Sequence, residues 1–296
     1  MGPAEHNDQP AANPGAVSPG LYLVATPLGN LGDVSARQRA TLAAAETIAA
    51  EDTRVARRLL SALGIAAPRL VRCDERESPA AAADLVARAR AGHVVAFVSD
   101  AGMPGIADPG AVLVNAARAA GVPVSVVPGP SALATALALS GLPAEPSLFL
   151  GFLPAKQGPR ARALRDFAAV PATLVAFEAP HRLAETLRAM AEILGPREAC
   201  VLRELTKRHE EARNGALGDL AAHYETHEAL GEIVVVVGPP REAPAAPDPA
   251  ALDAKLRAAL LAHGVRDAAD RVAAETGLAR RTVYARALEL AGKRGR

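Results

Sequence analysis

The sequence predicts an α/β protein of two α/β domains followed by a small helical one, and three observations carry this. Short apolar runs alternate with helical patterns from residue 21 to residue 238, the β-α period that builds a mostly parallel sheet. A stretch holding Pro239, Pro240, Pro244, Pro247 and Pro249 interrupts the pattern and reads as an extended linker over 239–249. Beyond it only helical spacing remains. The division predicted is a disordered tail over 1–20, α/β domains over 21–143 and 144–238, the linker, and a helix-turn-helix-like domain over 250–296.

Composition supports a folded chain, since 296 residues at 50% hydrophobic can bury a large core. The formal charge of +1 hides an asymmetry: ten Lys or Arg against five Asp or Glu from residue 250 onward put +5 there and leave −4 for the rest. A polyanion would bind the basic end. The first twenty residues are polar and Pro/Gly-rich, without the pattern of a signal peptide, and no apolar stretch is long enough to span a bilayer. A soluble cytoplasmic protein with no membrane partner is expected. Cys73 and Cys200 lie outside any metal-ligand spacing, so free buried thiols are expected and no metal site.

Taken in order, a strand over 21–25 leads into Thr26-Pro27-Leu28-Gly29-Asn30-Leu31-Gly32-Asp33 and a helix capped by Asp33 or Ser35. The turn lacks G-x-G-x-x-G, so the acids after the next strand (Thr47 to Ala50) are not ribose ligands by default. A helix over 53–63 stops at Gly64, a strand covers 69–73, and a helix over 79–91 is capped by Ser78 and stopped by Gly92. Strand 93–98 enters the stretch Val98 to Gly110, helix 110–120 leaves it, and strand 122–127 runs into Pro128-Gly129-Pro130-Ser131 at the start of another helix. After the break Pro143 to Pro146, strands are predicted at 147–152, 173–177, 199–203 and 232–237, with helices at 160–168, 182–194 and 217–224. Polar Arg203 to Arg208 reads as a loop. In the last domain Ala273, Gly277 and Val283 have helix-turn-helix spacing. Arg280, Arg281 and Arg286 lie on its second helix and point to nucleic-acid contact.

The Val98 to Gly110 stretch reads as the ligand loop. Its glycines and prolines let backbone approach a ligand, and Asp100 and Asp108 offer acceptors or a helix cap. A phosphate cradle would end in GK[ST] or carry basic neighbours, and this loop has neither. A cationic or neutral polar ligand fits better. No catalytic triad and no His/Cys/Asp cluster with ligand spacing is visible.

Six stretches occur in a fixed order: Val24 to Asp33, Ala50-Glu51-Asp52-Thr53-Arg54, Val98 to Gly110, Pro128 to Ala132, Gly151-Phe152-Leu153-Pro154-Ala155-Lys156, and Arg203-Glu204-Leu205-Thr206-Lys207. Together they resemble the tetrapyrrole methylase family, in particular its members that act on ribosomal RNA, over roughly 21–239. The resemblance implies two α/β domains with the cofactor, S-adenosyl-L-methionine, in the cleft between them, and a homodimer. It implies methylation of the ribose 2′-hydroxyl of a cytidine in the decoding centre of 16S rRNA, with the small ribosomal subunit as partner. One departure stands out: Met103 replaces the family's usual Thr, so no hydroxyl is available there. Matched by position, Thr26, Pro27, Asp100, Gly102, Met103, Ile106 and Ser131 are the expected cofactor residues. Glu51, Arg54 and Lys207 are expected at the substrate, joined by Arg280, Arg281 and Arg286, with Asp52 and Glu204 as candidate proton acceptors. His181, after Pro180, also invites a general-base reading, although a helix-start histidine is commonly just exposed. Two other readings remain open, a methylase of a porphyrin-like small molecule and a ligand-sensing helix-turn-helix regulator.

Overall fold

The structure, a computed structural model, describes residues 17–74, 78–108, 110–240, 249–276, 278 and 280–292. These fall into two compact units that divide between Pro239 and Pro240. The tail over 1–16, the linker residues 241–248 and the expected turn glycine Gly277 lie outside the described residues.

In the larger unit β1 (Gly20–Val24), β2 (Thr47–Ala50), β3 (Arg69–Arg72), β4 (Val94–Val98) and β5 (Val124–Val127) form a parallel sheet in the order β3-β2-β4-β1-β5. All five residues of β4 are buried, as expected of a central strand covered on both faces, whose sequence reads as an unbroken apolar run. Helices α1 (Ala36–Ala44) and α2 (Thr53–Ala62) cover Ile48, Ala50, Ala96 and Val98 on one face. On the other, α3 (Ser78–Arg90) and α4 (Gly110–Ala119) cover Ala49, Val95 and Phe97. Of the two expected caps for α1, Ser35 makes the contact: its hydroxyl accepts from Gln38 N, and the Gln38 side chain accepts in return from Ser35 N. Asp33 lies instead in a one-turn 3-10 helix.

The second sheet runs β6-β7-β10-β8-β9, from β6 (Ser147–Phe152), β7 (Thr173–Glu178), β8 (Glu198–Arg203), β9 (Glu211–Ala216) and β10 (Ile233–Val237). β6 and β7 pair in parallel and the remaining pairs are antiparallel. Central β10 is wholly buried. β9 has no apolar alternation and escapes sequence reading, since only its pairing with β8 makes Glu211–Ala216 a strand. Helices α6 (Gln157–Phe167), α7 (Leu183–Leu194) and α8 (Leu217–Thr226) share one core with this sheet. The opposite face is covered by α5 (Ala132–Ser140), whose Ala132, Leu133, Ala136 and Leu137 pack with Val175, Leu202, Val234 and Val236. The helix that follows the last strand of the first sheet therefore serves the second. Cys73 and Cys200 are buried and unbridged, and burial pushes the Cys200 thiol up to about 11.

The smaller unit holds α9 (Pro249–Ala262), α10 (Val265–Thr276) and α11 (Arg280–Gly292) around Leu256, Ala269, Val272, Val283, Ala287 and Leu290. Ala273 packs against this core. Among the described residues no helix is long and apolar enough to cross a membrane.

Candidate active site

The loop after β4 is tied to the end of β1. Thr26 N donates to the Gly102 carbonyl at 2.8 Å, and Gly102 N returns a bond to the Thr26 carbonyl at 3.1 Å. The buried Thr26 hydroxyl donates to the Ser99 carbonyl at 3.3 Å. Asp108 clasps the other end, its carboxylate accepting from Gly105 N at 2.8 Å and Gly110 N at 2.9 Å. Gly102 sits at φ +79°, where a side chain is strained, and a Cβ there would come within 2.9 Å of Leu28 Cδ2. Leu28 lines the cavity described next, so Gly102→Val should push it into ligand space. A folded Gly102→Val variant is expected to lose cofactor binding, and unchanged affinity by calorimetry would end the assignment of this loop.

A cavity of about 380 Å³ lies between residues of the two sheets. The first sheet contributes Leu28, Glu51, Ser99, Asp100, Ile106 and Asp108, and the second Phe152, Phe177, Glu178, Leu205, Glu232 and Ile233. Five carboxylates line it (Glu51, Asp100, Asp108, Glu178 and Glu232) and, among the described residues, no Lys or Arg.

These carboxylates are not equivalent. Burial first, then the Asp108 and Asp100 charges, push Glu51 up to about 7. Asp100 is raised by burial, although it accepts a hydrogen bond from Asp52 N at 3.1 Å. Asp52 itself is held well below the usual carboxylate range by Arg54, which donates from its backbone N at 2.8 Å and from Nη2 at 2.6 Å. Glu178 has a fully buried side chain that accepts from Ala179 N at 2.8 Å and Thr186 Oγ1 at 2.6 Å, and pairs with Arg182 at 3.1 Å. Its charge is satisfied inside the wall.

Of the residues singled out in the sequence, Glu51, Asp100, Ile106 and Asp108 meet at this cavity. Thr26 and Gly102 build its loop, while Pro27 and Met103 belong to the same two segments without lining it. Ser131 caps α5 through Ala134 N at 3.5 Å, just before the lining residue Ala132. Glu204, at φ +51°, accepts from Lys207 Nζ at 2.8 Å and Glu232 N at 3.0 Å, and Lys207 lowers its pKa. Lys207 also pairs with Glu232 at 3.1 Å. Its stem lies against Gly29, where an added Cβ would come within 2.6 Å of Lys207 Cγ, so it bridges the two halves of the larger unit. Arg54 points outward, with its side chain 85% exposed, and exposed His181 lies off the cavity lining. In the smaller unit Arg280 pairs with Asp270, and Arg286 pairs with Asp253 at 2.7 Å and Glu289 at 2.5 Å. Exposed Arg281 has no ion pair among the described residues. Sequence reading had not singled out Phe152, Phe177, Glu178, Leu205 or Glu232 as site residues. Phe152 and Leu205 do lie in two of the six ordered stretches, and Phe152 and Glu178 end their strands, with Pro180 two residues after Glu178.

The fold and the cavity define an α/β body with two sheets and, between their residues, an acidic cavity whose lining suits a cationic or neutral small ligand. Residues 20–221 match the family described as Tetrapyrrole (Corrin/Porphyrin) Methylases, and residues 246–291 match the RsmI C-terminal HTH domain. A relative from Mesorhizobium japonicum named ribosomal RNA small subunit methyltransferase I is 47% identical over 93% of this chain and 93% of its own length. One of the same name from Thermotoga maritima is 42% identical over 73% of this chain and 97% of its own. A solved uroporphyrin-III C-methyltransferase from Thermus thermophilus, complexed with S-adenosyl homocysteine, shares the fold, with TM-score 0.54 and 23% identity over 74% of this chain and 97% of that one. The chain belongs to the tetrapyrrole methylase family, within the branch of relatives named ribosomal RNA small subunit methyltransferase I. It is a methyltransferase.

Proposed function

We propose that this chain transfers the methyl group of S-adenosyl-L-methionine to the ribose 2′-hydroxyl of a cytidine in the decoding centre of 16S rRNA, acting in the cytoplasm as a homodimer on the small ribosomal subunit. The observation that carries the reading is the acidic, partly apolar cavity in a chain whose relatives bear the name of that reaction's class. The cavity fits the cofactor chemically. A sulfonium is a cation, which carboxylates favour, and adenosine is neutral, which suits Leu28, Ile106 and Ala132. Asp100 and Ile106, with the loop backbone held by Thr26 and Gly102, would hold it, with Pro27, Met103 and Ser131 in supporting segments.

When bound, the cofactor supplies an activated methyl group. The chain's own part is to hold the 2′-oxygen in line with that group and to remove its proton. Glu51 suits the proton removal, since it lines the cavity with a pKa of about 7, and a base works best when its pKa lies near the operating pH. Asp52 and Glu204, the acceptors named from sequence, are each locked to a cation, Arg54 and Lys207, and in this reading they position neighbours. Arg54 and Lys207 flank the substrate side. The smaller unit supplies RNA affinity through its basic surface.

A porphyrin-like acceptor is the alternative that the family's name suggests. Small subunits carrying deoxycytidine at the target position separate the cases, because only one oxygen is removed while base edges and phosphates remain. Binding should persist and methyl acceptance should vanish. Methylation of the deoxy substrate would place the acceptor on the base, and no methylation of either substrate would favour a small molecule.

A further inference from the structure

Phe152 is 59% exposed, although exposing a phenyl ring leaves apolar surface in water. It is one of only eight aromatic residues, five Phe and three Tyr. Its position is built. β6 pairs with β7 in regular register up to Phe149 opposite Val175, then shifts, so that Gly151 lies opposite Ala176 and Phe152 opposite Phe177. Leu150 is the extra residue of a bulge, and Gly151 adopts φ +64°. In an unbroken strand Phe149 and Phe152, three apart, would point to opposite faces. The bulge puts both beside Phe177, with centroids at 4.8 Å and 5.6 Å and rings tilted by 65° and 67°. Phe149 and Phe177 pack into the core under α5, while Phe152 ends the row at the cavity.

The opposite wall decides what meets this ring. Glu51, Asp100 and Asp108 face the same space, and no lining Lys or Arg neutralises them among the described residues. A phosphate is repelled there, so an RNA substrate must present its neutral part, a nucleobase with its sugar. Enzymes that modify a nucleotide commonly take it out of the stack and replace the lost neighbour with an aromatic face. Resting on the RNA reading above, we propose that Phe152 is the stacking platform for the target nucleobase, a positioning residue that holds the nucleoside while its ribose meets the methyl donor. The β6 bulge exists to turn that ring into the cavity.

The test uses the full chain with labelled S-adenosyl-L-methionine and purified small ribosomal subunits, comparing Phe152→Ala, Phe152→Leu and Phe152→Tyr with the unaltered protein. Stacking on one base supports a loss of about tenfold to a hundredfold in kcat/KM for the subunit with Ala. Leu keeps the apolar bulk but has no π face and should stay impaired, whereas Tyr should restore most of the rate. Cofactor affinity by calorimetry should stay within about twofold of the unaltered protein for all three. Full activity of the Ala or Leu variant overturns the proposal, as does a fall in cofactor affinity that accounts for the whole loss, since the ring would then pack on the cofactor. If the unaltered chain binds cofactor but methylates no ribosomal RNA, the functional reading fails and the platform falls with it. If it methylates and the variants match it, only the platform falls.

Discussion

Glu51→Gln is expected to lower kcat by about 10²- to 10⁴-fold, the usual contribution of a positioned general base, while leaving the fold in place and weakening cofactor binding far less than kcat. The pH dependence provides the sharper check. A carboxylate accepts a proton only when ionised, so kcat/KM of the unaltered enzyme should rise as pH increases through about 7 and level off above it. In kcat the same limb should fall at lower pH, because a bound cation favours the ionised carboxylate. The Gln variant should show neither limb. Stability moves the other way. Glu51 is raised from 4.5 to about 7 on folding, so the folded state binds the proton more tightly than the unfolded chain. Its contribution therefore worsens as pH climbs from 4.5 to about 7 and stays unfavourable above. At pH ~8 Glu51→Gln should melt no lower than the unaltered protein. Single-turnover kinetics across pH, with calorimetric melting of both proteins, reads all of this; a Gln variant that keeps its rate and its pH limb would remove Glu51 from the chemistry.

Removing the smaller unit, residues 240–296, should weaken RNA binding and flatten its salt dependence while sparing cofactor binding. Each phosphate that is no longer neutralised lowers the slope of log affinity against log salt by about 0.7 to 0.9. The structure sorts the candidate side chains. Arg266 and Arg281 are exposed and carry no ion pair among the described residues, so they are available to phosphates. With both replaced by Ala, the loss of affinity between ~50 and ~200 mM salt should shrink by about tenfold. Arg286 holds Asp253, whose side chain is 11% exposed, through two bonds of 2.7 and 2.8 Å. Arg286→Ala should therefore act chiefly by lowering the melting temperature of this unit, because a largely buried carboxylate loses two short charged bonds and keeps Arg257 at 3.4 Å. A truncated chain that binds small subunits equally well at every salt concentration would assign the smaller unit another purpose.

Local signals alone determined much of this protein. The apolar runs of β2 and β6 were legible to the residue, and those of β4 and β10 to within one; β2, β4 and β10 are wholly buried, and a strand buried on both faces needs an unbroken apolar stretch. The Val98 to Gly110 loop was legible because its glycines and acids are contiguous, as was the basic smaller unit after a Pro-rich linker. Tertiary structure decided the rest. α5 covers the second sheet and β9 exists only by pairing, and neither fact leaves a periodicity in its own residues. Which carboxylate is free depends on its surroundings: Glu51 is raised by burial and then by Asp108 and Asp100 across space, while adjacent Asp52 is lowered by Arg54, two residues along the chain. Phe152 reached the cavity through a single inserted residue, which reverses the face of the ring that ends the strand. Spacing and composition report which residues are apolar or charged, but a pKa, an ion pair or a strand face is set by what the folded chain brings alongside.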